Sequence, residues 1–261
     1  MTGASSGIGA ALADVFARNG HDLALVARRS QQLDALADRI ARNGQKRPLV
    51  IAADLSRSDA GETIEAELKR HGCEVQFLVN NAGVGAYGYA ANIAPHVRQS
   101  MIDLNIRAPT ALILQWMDPI VRQRGGILNV ASTAAFLPRA GMAMYHATKA
   151  YMLSLSEALH SELAEDGVRV CALCPGPVLT EFFSSAGTSP AIFPNFLYRS
   201  AERVAREGYE GFMAGRAIVI PGFANKVFCQ LPRVFPRGLL QGLLAPRDIN
   251  RSNSGKDRQR S

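Results

Sequence analysis

Tyr145 and Lys149 stand four residues apart in Tyr145-His146-Ala147-Thr148-Lys149. On a helix that spacing puts a phenol and an ammonium on one face. Ser132 lies thirteen residues before the tyrosine, at the end of an apolar run, and Asn80-Asn81-Ala82-Gly83 closes another such run. Near the start, Thr2-Gly3-Ala4-Ser5-Ser6-Gly7-Ile8-Gly9 opens a helical pattern. Its glycines permit a tight turn and let a pyrophosphate approach a helix N-terminus, where backbone N–H groups and the helix dipole favour negative charge. A glycine-rich stretch also makes a plain loop, so the turn acquires meaning only from the other motifs of the chain.

The elements that must hold these side chains are visible as periodicity. Short apolar runs alternate with longer helical patterns, as in βαβ units around a parallel sheet. Strands are expected at Leu23 to Arg28, Leu49 to Ala53, Phe77 to Asn80, Ile127 to Ala131, Val168 to Cys174 and Ala217 to Ile220. Helical patterns fall near 7 to 19, 30 to 43, 58 to 71, 97 to 123, 146 to 166 and 201 to 214. Right-handed crossovers then place helices on both faces of the sheet and ligands beyond the carboxyl ends of the strands. The expected fold class is α/β, a three-layer, doubly wound parallel sheet in a single domain.

Composition sets outer limits. With 48% hydrophobic and 20% charged residues in 261, the chain is too apolar for disorder and lacks the signatures of collagen or coiled coil. No uninterrupted run of about 18 apolar residues occurs and the N-terminus lacks a signal-peptide pattern, so a cytoplasmic location is expected. The net charge of +7 is unevenly placed. Residues 1 to 198 hold 17 Lys+Arg and 17 Asp+Glu, whereas residues 199 to 261 hold 12 and 5. The main body is therefore neutral, and nucleic acid is not expected as a partner. The basic end is either solvated or touches an anionic surface. Cys171 and Cys174 form a C-x-x-C within a strand pattern, which separates their Cα atoms by about 10 Å and points them to opposite faces. Core packing is expected for them, with neither disulfide nor metal.

Taken in order and with their spacing, these motifs resemble the short-chain dehydrogenase/reductase family from Thr2 to about Gly222. That family shows T-G-x-x-x-G-x-G, then N-N-A-G, an Asn, a Ser and Y-x-x-x-K. The resemblance implies a Rossmann-like fold and an enzyme that moves a hydride between a nicotinamide cofactor and a carbonyl or alcohol. Tyr145 would be the general acid/base. Lys149 would lower the phenol's pKa, aided by an oxidised nicotinamide, and would bond the nicotinamide ribose. Ser132 would orient and polarise the carbonyl. Asn105 matches the family Asn that holds a water in a proton relay; read by itself, it is a helix-interior polar residue bonding the backbone. Gly3, Ser5, Ser6, Gly7, Ile8, Gly9, Asn81, Ala82 and Gly83 would line the cofactor. Asp54, with Leu55, matches the adenine contact, although alone it reads equally as a cap or turn aspartate. Pro175, Gly176, Val178 and Thr180 match the family's P-G loop, whose Thr bonds the nicotinamide carboxamide. A sensor or scaffold that binds a dinucleotide without turnover is the alternative on the same fold.

The cofactor's phosphate is argued from Val26-Ala27-Arg28-Arg29. NAD binding usually needs a carboxylate at the end of the second strand, whereas a 2′-phosphate needs arginine. With no carboxylate there and Arg28 able to bind bidentately, NADP(H) is preferred and NAD(H) is the second possibility. A solvated arginine pair opening the next helix is the plainer alternative.

Residues 181 to 200 occupy the family's substrate lid, and hold Phe182, Phe183, Ile192, Phe193, Phe196, Leu197 and Tyr198. With Phe136, Leu137, Met142 and Met144 they suggest a pocket for a small-molecule apolar carbonyl or alcohol, fatty, isoprenoid, steroid-like or aromatic, or else a lid packed on its own core. Residues 223 to 246 read as short amphipathic helices broken by Pro232 and Pro236, similar to the ends of bacterial relatives of 3-ketoacyl-CoA and 17β-hydroxysteroid reductases. They are expected to dock on the core or a sister subunit, or to touch the inner membrane surface. The tail, 247 to 261, is expected to be disordered, and the family is usually a homodimer or homotetramer. Met1 immediately precedes the glycine turn, so the family's first, central strand is expected to be absent, and the natural protein to begin about ten residues upstream.

Overall fold

The computed structural model describes residues 1–187 and 194–235. Ile192, Phe193, the apolar residues beyond Phe235 and the basic tail lie outside the described residues. Six strands form: β1 (Ala24–Ala27), β2 (Leu49–Ala52), β3 (Phe77–Asn80), β4 (Gly126–Val130), β5 (Arg169–Leu173) and β6 (Ile218–Val219). Each lies inside a strand expected from sequence, or within one residue of it. Every pairing is parallel: β1 with β2, and β3-β4-β5-β6 in that order. Between β1 and β3, Met1 and Thr2 hold the place of the strand expected to be missing. Val26 N donates to Met1 O at 2.9 Å, and Thr2 N donates to Val79 O at 2.9 Å. Thr2 bridges Val26 in parallel. These two residues give the neighbouring strands only a short stretch of partners.

The helices are α1 (Gly7–Arg18), α2 (Ser30–Arg42), α3 (Ala60–Arg70), α4 (Pro95–Ile102), α5 (Ala108–Gln115), α6 (Met117–Arg122), α7 (Ala143–Glu162), the short α8 (Phe182–Ser185), α9 (Ala201–Met213) and α10 (Phe223–Val234). The single helix expected over 97 to 123 is in fact three. A wide π turn, Asp103–Arg107, joins α4 to α5, Pro109 opens α5, and the chain breaks again at Trp116. Proline lacks the N–H that would continue the ladder, which explains the restart at α5.

Two apolar layers clamp the sheet. On one side Ile64, Ile113, Ile120 and Leu159 from α3, α5, α6 and α7 meet Ile51, Leu78 and Ile127. On the other, Leu12 and Phe16 of α1 and Val204 and Phe212 of α9 meet Val79, Leu128 and Leu173. Phe16 and Phe212 are buried with ring centres 6.2 Å apart, and truncating either to alanine should cost about 3–5 kcal/mol. β4 is buried at all five positions, as a central parallel strand requires. Cys171 and Cys174 are buried free cysteines within the core. The carboxyl ends of β1, β3, β4 and β5 all open toward one cavity of about 790 Å³.

Candidate functional site

One end of the cavity is built by the glycine turn. Gly3 has φ +64° and Gly7 φ +56°, in the left-handed region that favours glycine. A Cβ on Gly9 would lie 2.2 Å from Gly3 O, and one on Gly3 would lie 2.7 Å from Ala82 Cα. The turn is thus pressed onto Asn81 and Ala82. Asn81 Nδ2 donates to Gly3 O at 2.9 Å and to Thr2 O at 3.1 Å, while Thr2 Oγ1 accepts from the amides of Asn81 and Ala82. The first turn of α1 carries no acidic side chain, so its positive end faces the cavity uncompensated from within the helix.

Arg28 and Arg29 follow β1, and the structure separates their roles. Arg28 is exposed and lines the cavity beside Asp54. Arg29, expected only as one of a solvated arginine pair, folds back across the turn. Its Nη2 donates to Ser6 Oγ at 2.9 Å and Ser5 Oγ at 3.1 Å, and its Nη1 to Glu181 Oε2 at 2.9 Å. Burial works against the charged form of Asp54, yet hydrogen bonds from Ser56 and the charge of Arg28 leave its carboxyl below its ordinary value. Ser56 bonds it at 3.0 Å through nitrogen and 2.8 Å through oxygen, so the turn reading of Asp54 and its place on the cavity wall both hold.

At the cavity's other end stand Ser132, Tyr145 and Lys149. Ser132 follows β4 in extended conformation and caps a short turn, Thr133–Phe136, accepting from Ala134 N at 3.1 Å. Tyr145 is in the first turn of α7, one turn before Lys149. Lys149 Nζ donates to Val130 O at 2.8 Å and lies 5.8 Å from the centre of the Tyr145 ring. Burial pushes the lysine's pKa down to about 8. Tyr145 is half-buried as a residue, but its hydroxyl end is withdrawn from water, which pushes its pKa up to about 12 against a hydrogen bond with Ser132 that lowers it. The downward pull expected from Lys149 does not act on the phenol in the protein alone, where burial raises the pKa and only the Ser132 hydrogen bond opposes it.

Asn105 is buried within the π turn, and its side chain is engaged at both ends. Oδ1 accepts from Val84 N at 2.9 Å, and Nδ2 donates to Val84 O at 2.8 Å and Thr148 Oγ1 at 2.9 Å. It couples the Asn81-Ala82-Gly83 loop to α7, and a Cβ on Gly83 would come within 3.0 Å of Asn105 Oδ1 and 3.5 Å of Lys149 Nζ. Below lies a buried chain that the sequence did not reveal: Asn80 Nδ2 donates to Asn129 Oδ1, and Asn129 Nδ2 to Ser156 Oγ, each at 2.9 Å.

The wall after β5 carries Pro175, Gly176, Val178 and Thr180. The Thr180 Cγ2 methyl packs against Gly7, so this loop closes onto the glycine turn. Asn225 of α10, also unforeseen, is buried and donates to Leu197 O at 3.1 Å and Pro221 O at 2.9 Å. Of the expected lid, Phe183 and Leu197 are buried, and the Phe182 ring centre lies 5.2 Å from that of Tyr145. Phe183 and Leu197 border the cavity as well, with Phe182 and Phe196, so the same buried residues pack on the core and line the pocket. Leu137, Met142, Phe196, Val227 and Phe228 complete an apolar wall around Ser132 and Tyr145. His146 Nδ1 donates to Leu137 O at 2.6 Å, tying α7 to the segment after the Ser132 turn. Among the described residues no group of His, Cys, Asp and Glu is placed to hold a metal ion.

Comparison with known proteins agrees with this geometry. The family model for short chain dehydrogenase matches residues 1–190. The chain is 36% identical over 186 residues to serine 3-dehydrogenase of Agrobacterium fabrum, covering 70% of this chain and 72% of that protein. It resembles a solved short-chain dehydrogenase from Sphingobium yanoikuyae in complex with NADPH, with TM-score 0.79, 33% identity and coverage of 98% and 97%. A bulky-bulky ketone specific alcohol dehydrogenase from Comamonas testosteroni gives TM-score 0.76 and 29% identity, covering 100% of this chain and 97% of the other.

Proposed function

Because this chain belongs to the short-chain dehydrogenase family, a family of nicotinamide-dependent oxidoreductases, we propose that it is an NADP(H)-dependent reductase or dehydrogenase of apolar carbonyls and alcohols. The observation that carries this reading is the layout of one cavity, with an anion-binding turn and two arginines at one end and Ser132, Tyr145 and Lys149 inside an apolar wall at the other. The site suits a dinucleotide: the turn is a cradle that a single Cβ would fill, at the positive end of α1. Gly3, Ser5, Ser6, Gly7, Ile8, Gly9, Asn81, Ala82 and Gly83 would hold it, with Arg28 at a 2′-phosphate and Asp54 and Leu55 at the adenine. When bound, the nicotinamide supplies or accepts the hydride.

The chain's own residues do the rest. Tyr145, protonated at neutral pH, holds the proton that a carbonyl oxygen needs on reduction, at its Oη. The Ser132 hydroxyl orients that oxygen beside the phenol. Lys149 keeps a polar group against the phenol in a site otherwise closed by Phe182 and Leu137. Asn105 would hold the relay water, with its side chain positioned by bonds to Val84 and Thr148 that leave Oδ1 one free acceptor site. Pro175, Gly176, Val178 and Thr180 close the wall on the nicotinamide side. The apolar wall, which excludes water and accepts hydrocarbon, supports a bulky apolar substrate; the NADPH complex and the bulky-ketone specificity named for the two solved relatives support the same choice.

Assembly and location belong to the same proposal. On α5, Leu114 is 68% exposed one turn beyond Thr110, whose hydroxyl meets Tyr151 OH of α7 at 3.1 Å. Leu114 of α5 and Tyr151 of α7, both exposed, are the side chains a homodimer or homotetramer interface on these helices would use. Phe223 and Val227 of α10, exposed beside Lys226, support peripheral contact with a membrane surface from the cytoplasm. No helix among the described residues is long and apolar enough to cross a membrane.

The test is titration with NADPH and NADH followed by nicotinamide fluorescence, then turnover of bulky ketones. NADPH binding that weakens in Arg28→Ala, and reduction lost in Tyr145→Phe, are the expected results. Failure to bind either nucleotide would overturn the proposal.

A further inference from the structure

The root of the lid sits on the phosphate turn through charge. Arg29 spans three segments that are far apart in sequence: the serines of the turn, the end of β1 where it resides, and Glu181 at the start of the lid. Its Nη2 bonds Ser5 and Ser6, its Nε lies 3.4 Å from Ser5 Oγ, and its Nη1 bonds Glu181 at 2.9 Å. The neighbouring Thr180 methyl rests on Gly7, so the contact is continuous with the loop packing. Arg29, Glu181, Ser5 and Ser6 all line the cavity. The pair is half-exposed, at 45% and 58% of the side chains, so water screens it and it opens readily.

This arrangement puts a carboxylate where an anionic ligand would find two arginines, two serine hydroxyls and the positive end of α1. A 2′-phosphate carries close to two negative charges, while the 2′-hydroxyl of NADH carries none. A carboxylate held on Arg29 therefore repels NADPH more than NADH, whose charge lies on the shared pyrophosphate alone, and it occupies N–H donors the 2′-phosphate would use. We propose that Glu181 is a specificity-determining residue that stands in for the nucleotide phosphate on Arg29, tempering the preference for NADPH over NADH. This rests on the NADP(H) reading of the same cavity.

The test is nicotinamide-fluorescence titration of the wild-type protein, Glu181→Gln, Arg29→Ala and the double variant with both nucleotides, the native fold of each being checked by circular dichroism. Glu181→Gln should tighten NADPH by about two- to fivefold, the range an exposed ion pair can supply, and leave NADH nearly unchanged. Arg29→Ala should weaken NADPH, and in its background the tightening by Glu181→Gln should shrink, because Arg29 is the carboxylate's main anchor and Ser6 its second. An unchanged NADPH to NADH ratio would overturn the inference and leave the oxidoreductase reading standing. So would equal tightening of both nucleotides, which would place Glu181 at the shared pyrophosphate. Undiminished tightening in the Arg29→Ala background would also overturn it, as would weaker NADPH binding in Glu181→Gln. If the wild-type protein bound neither nucleotide, both this inference and the cofactor reading would fall.

Discussion

Lys149 Nζ is anchored on the carbonyl oxygen of Val130 at 2.8 Å and lies 5.8 Å from the centre of the Tyr145 ring. The ammonium is thus fixed by the end of β4 and not by the phenol it serves. Its burial has a thermodynamic cost that can be read. The folded-state pKa is about 8 against 10.5 for the free side chain, so between these values the unfolded chain binds the proton that the folded one has released. This group's contribution to stability rises as pH climbs from about 8 to 10.5, and is fully unfavourable below that window. Lys149→Met should therefore raise stability at pH 7 by up to about 3 kcal/mol, at about 1.4 kcal/mol per pK unit, while abolishing turnover. Denaturant unfolding of both proteins at pH 7 and pH 10 checks it: the gain should shrink at the higher pH.

Tyr145 behaves in the opposite sense. With its pKa raised to about 12 by burial, it stays a phenol in the folded protein well beyond the ordinary value of 10. Its stabilising contribution is complete below pH 10 and is lost as pH rises toward 12. Ultraviolet difference titration of wild-type against Tyr145→Phe, without nucleotide, should show no phenolate signal from this residue below pH 11. An ionisation near neutral pH would show that the protein alone lowers the phenol's pKa.

Removing that hydroxyl should leave nucleotide binding in place and lower kcat by about 10²–10⁴-fold, the usual contribution of general acid-base catalysis. Steady-state kinetics of Tyr145→Phe beside a fluorescence titration separates the two effects.

The Asn80, Asn129 and Ser156 chain predicts a stability effect without direct contact with ligand. Asn129→Leu leaves the Asn80 amide without its buried acceptor, while the Ser156 hydroxyl keeps its bond to Met152 O. A loss of about 1–3 kcal/mol per stranded polar group is expected in thermal or denaturant unfolding. Asn80 Oδ1 has no hydrogen-bond partner among the described residues, so the chain already ends on an acceptor.

Gly9→Ala tests the turn. Its methyl would meet Gly3 O at 2.2 Å and Asn81 Nδ2 at 2.4 Å, backbone and a bonded amide that cannot both retreat. NADPH binding should fall at least tenfold, with the circular dichroism spectrum largely retained; unchanged affinity would remove the turn from the site.

What could be read from the chain was local. Period and turn residues placed every strand, and the Tyr145 to Lys149 spacing put both groups on one face because a helix makes residues four apart into neighbours. Contacts between distant segments were not legible. Arg28 and Arg29 are adjacent in sequence, yet Arg29 alone crosses to Ser5, Ser6 and Glu181, a choice made by the path of the backbone after β1. Asn225 and Asn129 looked like ordinary polar residues until folding buried them against Leu197 and Ser156. The break at the π turn was signalled by Pro109, though the helical period on either side masked it. Asn105 shows how two expectations merge: it does bond the backbone, and in doing so it fixes the loop beneath Lys149.

The central claim is that Tyr145, Ser132 and Lys149 act with a nicotinamide dinucleotide held by the glycine turn. The most direct measurement is mass spectrometry of the alcohol formed from a bulky apolar ketone and NADPH deuterated at the transferable C4 position, for wild-type and Tyr145→Phe. A singly deuterated alcohol from the wild-type protein, and almost none from the variant, is the predicted result. Absence of deuterium from the product, or equal yields from both proteins, would contradict the account.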